Sequence, residues 1–362
     1  MKKAYLILQN GKVFPGTRFG KEGEITAELV FTTGMEGYLE TLTDPSYHGQ
    51  IVVQTFPLIG NYGVIPADFE SRAPSLSAYI VRNICELPSN FRNEGTLGNY
   101  LEKQGVIGLC DLDTRALTKI IREYGVMNAA IVNEIPQDLE GFARSLSTAA
   151  LSSSVEQVTC KKSYVLNPAG DKHIVLWDFG YKKNMGDELV KRGCKVTVVP
   201  AQTTAEEILA LKPDGILLSN GPGDPSNNKS IIENIGKAAQ SKTPIFGICL
   251  GHQMLALAKG AISTKLKYGH RGANQPVRYN PTGRLYITSQ NHGYAIQSET
   301  LPSSAVLSFT HVNDNTCEGV EYTDIPAFSV QFHPEACGGP KDTNFLFEHF
   351  MSLMGGNANA AE

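Results

Sequence analysis

Short hydrophobic runs alternate with amphipathic stretches through the second half of the chain. The apolar runs cover residues 173–177, 195–199, 215–218 and 243–248. The amphipathic stretches cover residues 184–192, 204–211, 231–240 and 254–259, and the second of them begins with the capping box Thr204 and Glu207. This order of strand and helix with short connections predicts an α/β fold, a doubly wound and mostly parallel sheet with helices on both faces.

The first 140 residues have a different pattern, in which short β-prone segments are bounded by glycine and proline. Segments 6–13, 25–32 and 50–54 are predicted strands. A helix is predicted at 114–124, because apolar residues recur there at i, i+3, i+4 and i+7 and Gly125 follows. These apolar positions, expected to face the core, are Leu117, Ile120, Ile121 and Tyr124. The N-terminal part is therefore predicted to be a β-rich, mixed α+β domain.

A change in composition separates the two halves. Residues 145–154 are rich in Ser, Thr and Ala, and the turn-forming run Asn167-Pro168-Ala169-Gly170 follows. We therefore predict a domain linker in this region. The predicted divisions are an N-terminal domain at 1–150, a linker at 151–170, an α/β domain at 171–355 and a C-terminal tail at 356–362.

Composition and charge exclude several classes of function. A net charge of -4 and a pI near 6.1 provide no basic surface, so neither nucleic acid nor an anionic membrane is an expected partner. The apolar stretch within residues 1–9 is too short for a secretory signal or a membrane span. The cysteines number seven and contain no C-x-x-C pair, so we predict no disulfide framework, no metal site and a reducing, cytoplasmic location.

One cysteine stands in the sequence Gly247-Ile248-Cys249-Leu250-Gly251, directly after an apolar run and before a helical stretch. A strand, a sharp turn with glycines on both sides of the reactive residue, and a helix are typical of a nucleophile elbow. The helix N-terminus favours the thiolate, which is the reactive form. A lone cysteine is more often a small buried hydrophobe, so the elbow needs catalytic partners.

The best candidates for those partners are His333 and Glu335, which lie two residues apart near the C-terminus. If the chain is extended there, side chains at i and i+2 point the same way, and the carboxylate can orient the imidazole. A nucleophile, a base and a group that orients the base are the arrangement needed for acyl transfer. By itself, His-Pro-Glu is more typical of a surface turn.

These segments resemble the signatures of class I glutamine amidotransferase domains. The resemblance rests on Gly-Ile-Cys-Leu-Gly-His-Gln at 247–253 and on His-Pro-Glu at 333–335, and it extends over residues 171 to about 355. Segments 219–225 and 289–294 resemble the oxyanion loop and a substrate-site loop of the same family. The catalytic residues that the resemblance implies are Cys249, His333 and Glu335.

The resemblance also implies how L-glutamine is bound. Backbone N–H groups near Gly221 and of Leu250 would meet the oxyanion. The residues implied to contact glutamine are Ser46, Gly221, Gly223, Leu250, Gln253, Asn291, Gly293 and Tyr294. The contact from Ser46 requires the two halves to pack together. His252 and His292 also lie in motif loops, where we expect structural hydrogen bonds, and we expect Cys317 and Cys337 to be inert thiols.

In the N-terminal half, segments 31–38 and 43–47 resemble the small, glutamine-hydrolysing subunits of carbamoyl-phosphate synthases. Other amidotransferases of the class are not preceded by this domain. The resemblance implies a glutaminase that forms a thioester on Cys249 and passes ammonia to a large ATP-binding subunit. That partner would make carbamoyl phosphate from bicarbonate for arginine synthesis, pyrimidine synthesis or both.

No nucleotide site is predicted in this chain. Segment 223–230 approaches a phosphate-binding loop, but Asn228 replaces the second glycine and Pro225 removes a backbone donor. No cofactor is expected here, and ATP and Mg²⁺ are expected on the large subunit. Two alternatives stay open, a catalytically silent assembly subunit and an unrelated thiol hydrolase. The intact triad argues against the first, and the N-terminal domain argues against the second.

Overall fold

The computed structural model describes residues 2–149 and 154–355. The chain divides into two compact units, Met1–Ser153 and Ser154–Glu362. The predicted C-terminal tail, 356–362, and residues 150–153 of the Ser-rich stretch lie outside the described residues.

The first unit contains a closed barrel with strand order β1-β2-β8-β6-β4-β3-β9, and β5 pairs with β7 in a separate small sheet. Its strands are β1 (Lys3–Leu8), β2 (Val13–Gly20), β3 (Ile25–Thr32), β4 (Gln50–Gln54), β5 (Leu58–Ile59), β6 (Ala78–Ile80), β7 (Asn83–Ile84), β8 (Ile107–Cys110) and β9 (Met127–Val132). Its helices are α1 (Tyr38–Thr43), α2 (Leu97–Gln104), α3 (Thr114–Tyr124) and α4 (Leu139–Ser147). The β-rich character predicted for this half is therefore confirmed.

Two local predictions for this unit have different outcomes. Helix α3 has the predicted bounds, and its apolar stripe is buried except for Tyr124, which is 61% exposed. The strand predicted at 6–13 is wrong, because the chain turns at Gly11, where φ is +80°. The turn joins β1 and β2 into an antiparallel hairpin in which Ile7 pairs with Val13. Glycine adopts this φ without the steric cost that a side chain adds.

The second unit is built on a ten-stranded sheet with the order β10-β12-β11-β13-β14-β19-β18-β17-β15-β16. Its strands are β10 (Tyr164–Leu166), β11 (Lys172–Asp178), β12 (Cys194–Pro200), β13 (Gly215–Leu218), β14 (Ile245–Ile248), β15 (Ser263–Tyr279), β16 (Leu285–Ile296), β17 (Ala305–His311), β18 (Cys317–Tyr322) and β19 (Ala327–Val330). Its helices are α5 (Val155–Val158), α6 (Lys183–Lys191), α7 (Ala205–Ala210), α8 (Lys229–Gln240), α9 (Leu250–Ala258) and α10 (Phe345–Leu353).

The predicted α/β architecture is confirmed, with the parallel strands in one half of the sheet and β10 added antiparallel at its edge. Strands β12, β11, β13, β14 and β19 are parallel neighbours, whereas β15 to β18 add an antiparallel extension that the alternation did not predict. Successive residues of β11 enter two separate cores, Val175 with helices α8 and α9, and Leu176 with helices α6 and α10. Both faces of the sheet are therefore covered by helices, as predicted.

Candidate active site

Cys249 stands at the junction between β14 and α9 with φ of 53° and ψ of -105°. This φ is unusual for a residue with a side chain, and such strain costs on the order of 1–3 kcal/mol and is concentrated at functional sites. The Cys249 N–H donates to the carbonyl of Val330 at 2.9 Å, and the Gln253 N–H donates to the carbonyl of Cys249 at 3.1 Å. These bonds fix the sharp turn, so the predicted strand, elbow and helix are present.

The glycines on either side of the elbow are required by close contacts with neighbouring backbone. A Cβ on Gly251 would lie 2.3 Å from the carbonyl oxygen of Leu218 at the end of β13. A Cβ on Gly247 would lie 3.0 Å from the backbone of Gly251. Neither glycine has a positive φ, so their role is to allow β13, β14 and α9 to pack closely.

His333 and Glu335 form the predicted pair just beyond β19, the strand that runs parallel to β14. Nδ1 of His333 lies 2.7 Å from Oε1 of Glu335, and both residues are buried. The pair forms across a turn and not along an extended segment, because the Ala336 N–H donates back to the carbonyl of His333 at 3.3 Å. Nε2 of His333 has no hydrogen bond to any described residue.

Lys182 completes this group, although the sequence analysis did not identify it. Its Nζ lies 2.7 Å from Oε1 of Glu335, and its side chain is 9% exposed. Lys182 follows β11, and its N–H donates to Oδ1 of Asn220 in the loop after β13. The amide of Asn184 donates to the backbone carbonyl of Glu335. The available signal was the position of Lys182 at the carboxyl end of a parallel strand, where sites form in such sheets.

Charges and burial set the protonation of the pair. Burial raises the pKa of Glu335, but Lys182 and His333 outweigh burial and lower that pKa to about 2. Burial and Lys182 lower the pKa of His333, but Glu335 and Cys249 outweigh them and raise it to about 10. At neutral pH the pair is therefore an imidazolium and a carboxylate.

Strand β16 carries the implied glutamine contacts Asn291, Gly293 and Tyr294. The Sγ of Cys249 lies 3.7 Å from the carbonyl oxygen of Asn291. The amide of Gln253 on α9 donates to the carbonyl of Tyr294 at 2.8 Å and to Oε1 of Gln331 at 2.9 Å. The structure therefore brings these residues of β16 and α9 together beside Cys249.

The loop after β13 lies against the same helix N-terminus. The Gly251 N–H donates to the carbonyl of Ser219 at 2.9 Å. A Cβ on Gly221 would lie 2.2 Å from the carbonyl of Phe179 and 2.8 Å from Cδ2 of Leu250, so only glycine fits there. Gly223 follows with φ of +87°. Gly221 and Leu250, the two implied sources of oxyanion donors, are thus neighbours in this unit.

Ser46 belongs to the first unit, in the short turn Pro45–Tyr47. Its N–H donates to Oδ1 of Asp44 at 2.9 Å, and the residue is buried. Its contact with glutamine stays a prediction.

The remaining histidines and cysteines of the motifs have structural environments. His252 Nδ1 lies 2.8 Å from Oγ of Ser329, and burial lowers the pKa of His252 to about 3. His292 forms hydrogen bonds through both ring nitrogens. Burial raises the pKa of the Cys317 thiol to about 12, whereas Cys337 is exposed.

Two overlapping groups of side chains lie close enough together to be tested as metal ligands, namely His270 with His311 and Asp314, and His270 with His292 and Glu318. We assign no metal to either group. Asp314 already lies 2.8 Å from Nε2 of His270 and 3.1 Å from Nδ1 of His311, and both nitrogens of His292 are hydrogen-bonded. None of the helices in the described part of the chain has the length and apolar character needed to cross a membrane.

Comparisons with known proteins identify the family of this chain. The family model "Carbamoyl-phosphate synthase small chain, CPSase domain" matches residues 6–131, and the model "Glutamine amidotransferase class-I" matches residues 175–353. The chain is 51% identical over 354 residues to "Carbamoyl phosphate synthase small chain" of Bacillus thuringiensis subsp. konkukian, with 97% of this chain and 96% of the relative covered.

Relatives with the same name occur in other bacteria. The protein of Syntrophotalea carbinolica is 48% identical over 368 residues, covering 97% of this chain and 98% of the relative. The protein of Listeria monocytogenes serotype 4b is 48% identical over 358 residues, covering 98% of each chain. The chain is therefore a glutamine amidotransferase that belongs to the carbamoyl phosphate synthase small chain family.

Proposed function

We propose that this chain hydrolyses L-glutamine to glutamate and ammonia through a thioester on Cys249 and delivers the ammonia to a large ATP-binding carbamoyl-phosphate synthase subunit. The observation that carries the proposal is the strained backbone of Cys249 at the elbow together with the buried pair of His333 and Glu335. A nucleophile, a base and a carboxylate that orients the base are the parts needed for amide hydrolysis.

In the first half of the reaction, the Cys249 thiolate attacks the side-chain carboxamide carbon of glutamine. The carbonyl oxygen becomes an oxyanion, which accepts hydrogen bonds from backbone N–H groups near Gly221 and of Leu250. Such donors are fixed before the reaction, and losing one costs about 3–4 kcal/mol of barrier. The imidazolium of His333 then gives its Nε2 proton to the departing nitrogen. The C–N bond breaks, ammonia leaves, and a glutamyl thioester and a neutral imidazole remain.

In the second half, water attacks the thioester while Nε2 of His333 takes one of its protons. The C–S bond breaks as the tetrahedral intermediate collapses, which releases glutamate and restores the thiolate and the imidazolium. Glu335 keeps Nδ1 of His333 protonated, so that Nε2 is the nitrogen that exchanges protons. Lys182 holds the carboxylate of Glu335 ionised through both steps.

Glutamine is held by the residues around the elbow. Asn291, Gly293 and Tyr294 on β16 and Gln253 on α9 form one side of this site, and Gly221 and Gly223 form another. We assign Ser46 of the first unit to the same substrate on the motif match alone. No cofactor is assigned to this chain, and ATP and Mg²⁺ are assigned to the partner.

Ammonia must be kept from protonation on its way to the partner, because ammonium is not a nucleophile. We therefore infer a closed passage and a tight interface with the large subunit. The names of the relatives support such a partner, since a small chain implies a large one. The product would be carbamoyl phosphate for arginine synthesis, pyrimidine synthesis or both, in the cytoplasm.

The test measures release of ammonia and glutamate from L-glutamine by the purified chain, alone and with the candidate large subunit. Cys249→Ala should abolish release, whereas the matched variant Cys85→Ser, in the other unit, should retain it. Release that increases with the partner supports a partner-gated glutaminase. Full activity in Cys249→Ala would exclude Cys249 as the nucleophile, and no release by the wild type with its partner would favour the silent assembly subunit.

A further inference from the structure

A row of buried polar side chains supports the segment of β16 that lies beside Cys249. Oε2 of Glu318 on β18 lies 2.8 Å from one end of the Gln290 amide. The other end of that amide lies 3.0 Å from Nε2 of His292, and Nδ1 of His292 lies 2.8 Å from the carbonyl oxygen of Tyr294. All three side chains are buried, and Glu318 is 0% exposed. Their hydrogens must therefore be satisfied within the protein.

Counting donors and acceptors along this row shows that one additional proton is needed. The carbonyl of Tyr294 can only accept, so Nδ1 of His292 carries hydrogen. If Oε1 of Gln290 faces His292, Nε2 of the imidazole must also carry a hydrogen to donate to that oxygen. His292 is then an imidazolium. If the Gln290 amide is rotated, its NH₂ donates to Nε2 of His292 and its oxygen faces Glu318. The Gln290 oxygen and Oε2 of Glu318 then lie 2.8 Å apart, and Glu318 must carry a proton to donate to the Gln290 oxygen.

Both arrangements contain one proton more than a neutral His292 together with an ionised Glu318 would contain. We propose that Glu318, Gln290 and His292 share one bound proton at neutral pH, and that this proton positions the β16 segment from Asn291 to Tyr294 for glutamine. The inference rests on the proposed glutaminase function. Glu318 is thereby a positioning residue, acting through Gln290 and His292.

The charged groups around the row indicate where the proton resides. His270 lies closest to Glu318, with Nδ1 3.5 Å from Oε1, and it is paired through Nε2 with Asp314. His311 also faces Asp314, and Arg271 and His333 act on His292. Burial raises the pKa of Glu318, and burial together with His270 lowers the pKa of His292 well below its ordinary value. These directions favour a proton on Glu318. The Gln290 amide as placed also donates to Oγ1 of Thr288 at 3.1 Å, and that hydroxyl donates to the carbonyl of Gln275 at 2.8 Å, which favours the other arrangement, with the proton on His292. The spectroscopic measurement below distinguishes the two.

The position of Tyr294 explains why the proton matters for substrate binding. Its carbonyl accepts from His292 and also from the Gln253 amide at 2.8 Å. Three residues earlier, the carbonyl of Asn291 lies 3.7 Å from Sγ of Cys249. If the shared proton is lost, two acceptors face each other among Glu318, Gln290 and His292. The β16 segment from Asn291 to Tyr294 must then move to separate them. Because His333 and Glu335 are outside the row, we expect KM for glutamine to rise and kcat to change little.

The decisive comparison is between Glu318→Gln and Glu318→Leu. A glutamine at 318 can donate to the Gln290 oxygen without an added proton, so KM should stay near the wild-type value. In the wild type, KM should increase as the pH is raised into the alkaline range, and in Glu318→Gln this increase should disappear. Glu318→Leu lacks a donor and should raise KM by about tenfold at every pH, as expected for about 1.4 kcal/mol. An equal rise in KM for both variants would overturn the proposal, because the carboxylate itself would then be needed.

A spectroscopic measurement tests the proton without reference to activity. The infrared difference spectrum of wild type minus Glu318→Gln should contain the C=O stretch of a protonated carboxyl group at neutral pH, or ring ¹⁵N NMR should show His292 doubly protonated. A deprotonated Glu318 beside a neutral His292 would overturn the proposal. If the chain did not hydrolyse glutamine, this measurement would still decide whether the proton is present. It also applies if Glu318→Leu fails to fold.

Discussion

Lys182 Nζ lies 2.7 Å from Oε1 of Glu335, the same oxygen that lies 2.7 Å from Nδ1 of His333. The second oxygen, Oε2, has no hydrogen bond within the described part of the chain. One carboxylate oxygen thus joins a buried cation to the imidazole beside the nucleophile. Because a buried charge is costly without a partner, the stability of this site and the protonation of its base depend on the same contact.

Replacing Lys182 by methionine should therefore weaken both the fold and the site. Because the imidazolium of His333 still neutralises Glu335, loss of the Lys182 contact should cost about 1.5–3 kcal/mol of unfolding free energy, the range for a hydrogen bond to a charged group. The pKa of His333 should rise further because Lys182 lowers it. Urea unfolding and glutaminase kcat/KM measure the two effects. The matched control is Lys183→Met, whose ion pair with Asp187 is largely exposed and should contribute about 0.5 kcal/mol or less. Equal losses in both variants would contradict the role of Lys182.

The pKa of Glu335 predicts a dependence of stability on acid pH. Its folded-state pKa is about 2 against an ordinary value of 4.5, so the folded protein binds the proton less readily than the unfolded chain does. The stabilisation, on the order of 3 kcal/mol, is complete above pH 4.5 and is lost as the pH falls from 4.5 to 2. Urea unfolding of wild type and Glu335→Gln across this range should show a steeper loss for the wild type. Parallel curves would argue against the lowered pKa.

Brief treatment with a small haloacetamide should label Cys249 before the other thiols. Cys249 is close enough to His333 to help raise the pKa of that imidazole, whereas burial raises the pKa of the Cys317 thiol to about 12 and keeps it protonated. Peptide mass spectrometry after a time course measures the order of labelling. Added L-glutamine should slow the labelling of Cys249 alone. Faster labelling of Cys337, which is exposed, or no protection by glutamine would count against Cys249 as the nucleophile.

Gly251→Ala should disrupt the elbow, because the new Cβ would lie 2.3 Å from the carbonyl oxygen of Leu218. Overpacking of this kind costs about 1–3 kcal/mol, and the displaced helix N-terminus should also lower kcat. Gly236→Ala is the control. Its new Cβ would lie 3.9 Å from the nearest atom, Cβ of Ala258, and the residue lies inside helix α8. That change should stabilise the protein by about 0.5–1 kcal/mol. Thermal and urea unfolding of both variants would reveal whether the two effects have opposite signs.

Local sequence patterns predicted many elements of the second unit. The strand at 215–218 has the predicted bounds, and the capping box of Thr204 and Glu207 is present at the start of α7. These features depend on neighbours in the sequence, such as hydrophobic period and side-chain capping. The long antiparallel strands β15 and β16 were not predicted as a pair. Their register has shifts between Lys265 and His270, and between Gly272 and Gln275, so it depends on contacts across the sheet.

The sequence by itself determined the elbow of Cys249, the proximity of His333 to Glu335, and the α/β class. The elbow and the class follow from local patterns. His333 and Glu335 are close because they are two residues apart, although the pair forms across a turn and not in the extended geometry expected. Only the tertiary structure placed Lys182 against Glu335 and the Gln290 amide between Glu318 and His292. Lys182 and Glu335 are far apart in the sequence and meet because β11, β13, β14 and β19 are neighbours in one sheet. Burial and the charges of the neighbouring side chains then set their protonation, and both are properties of the packed fold that no local pattern contains.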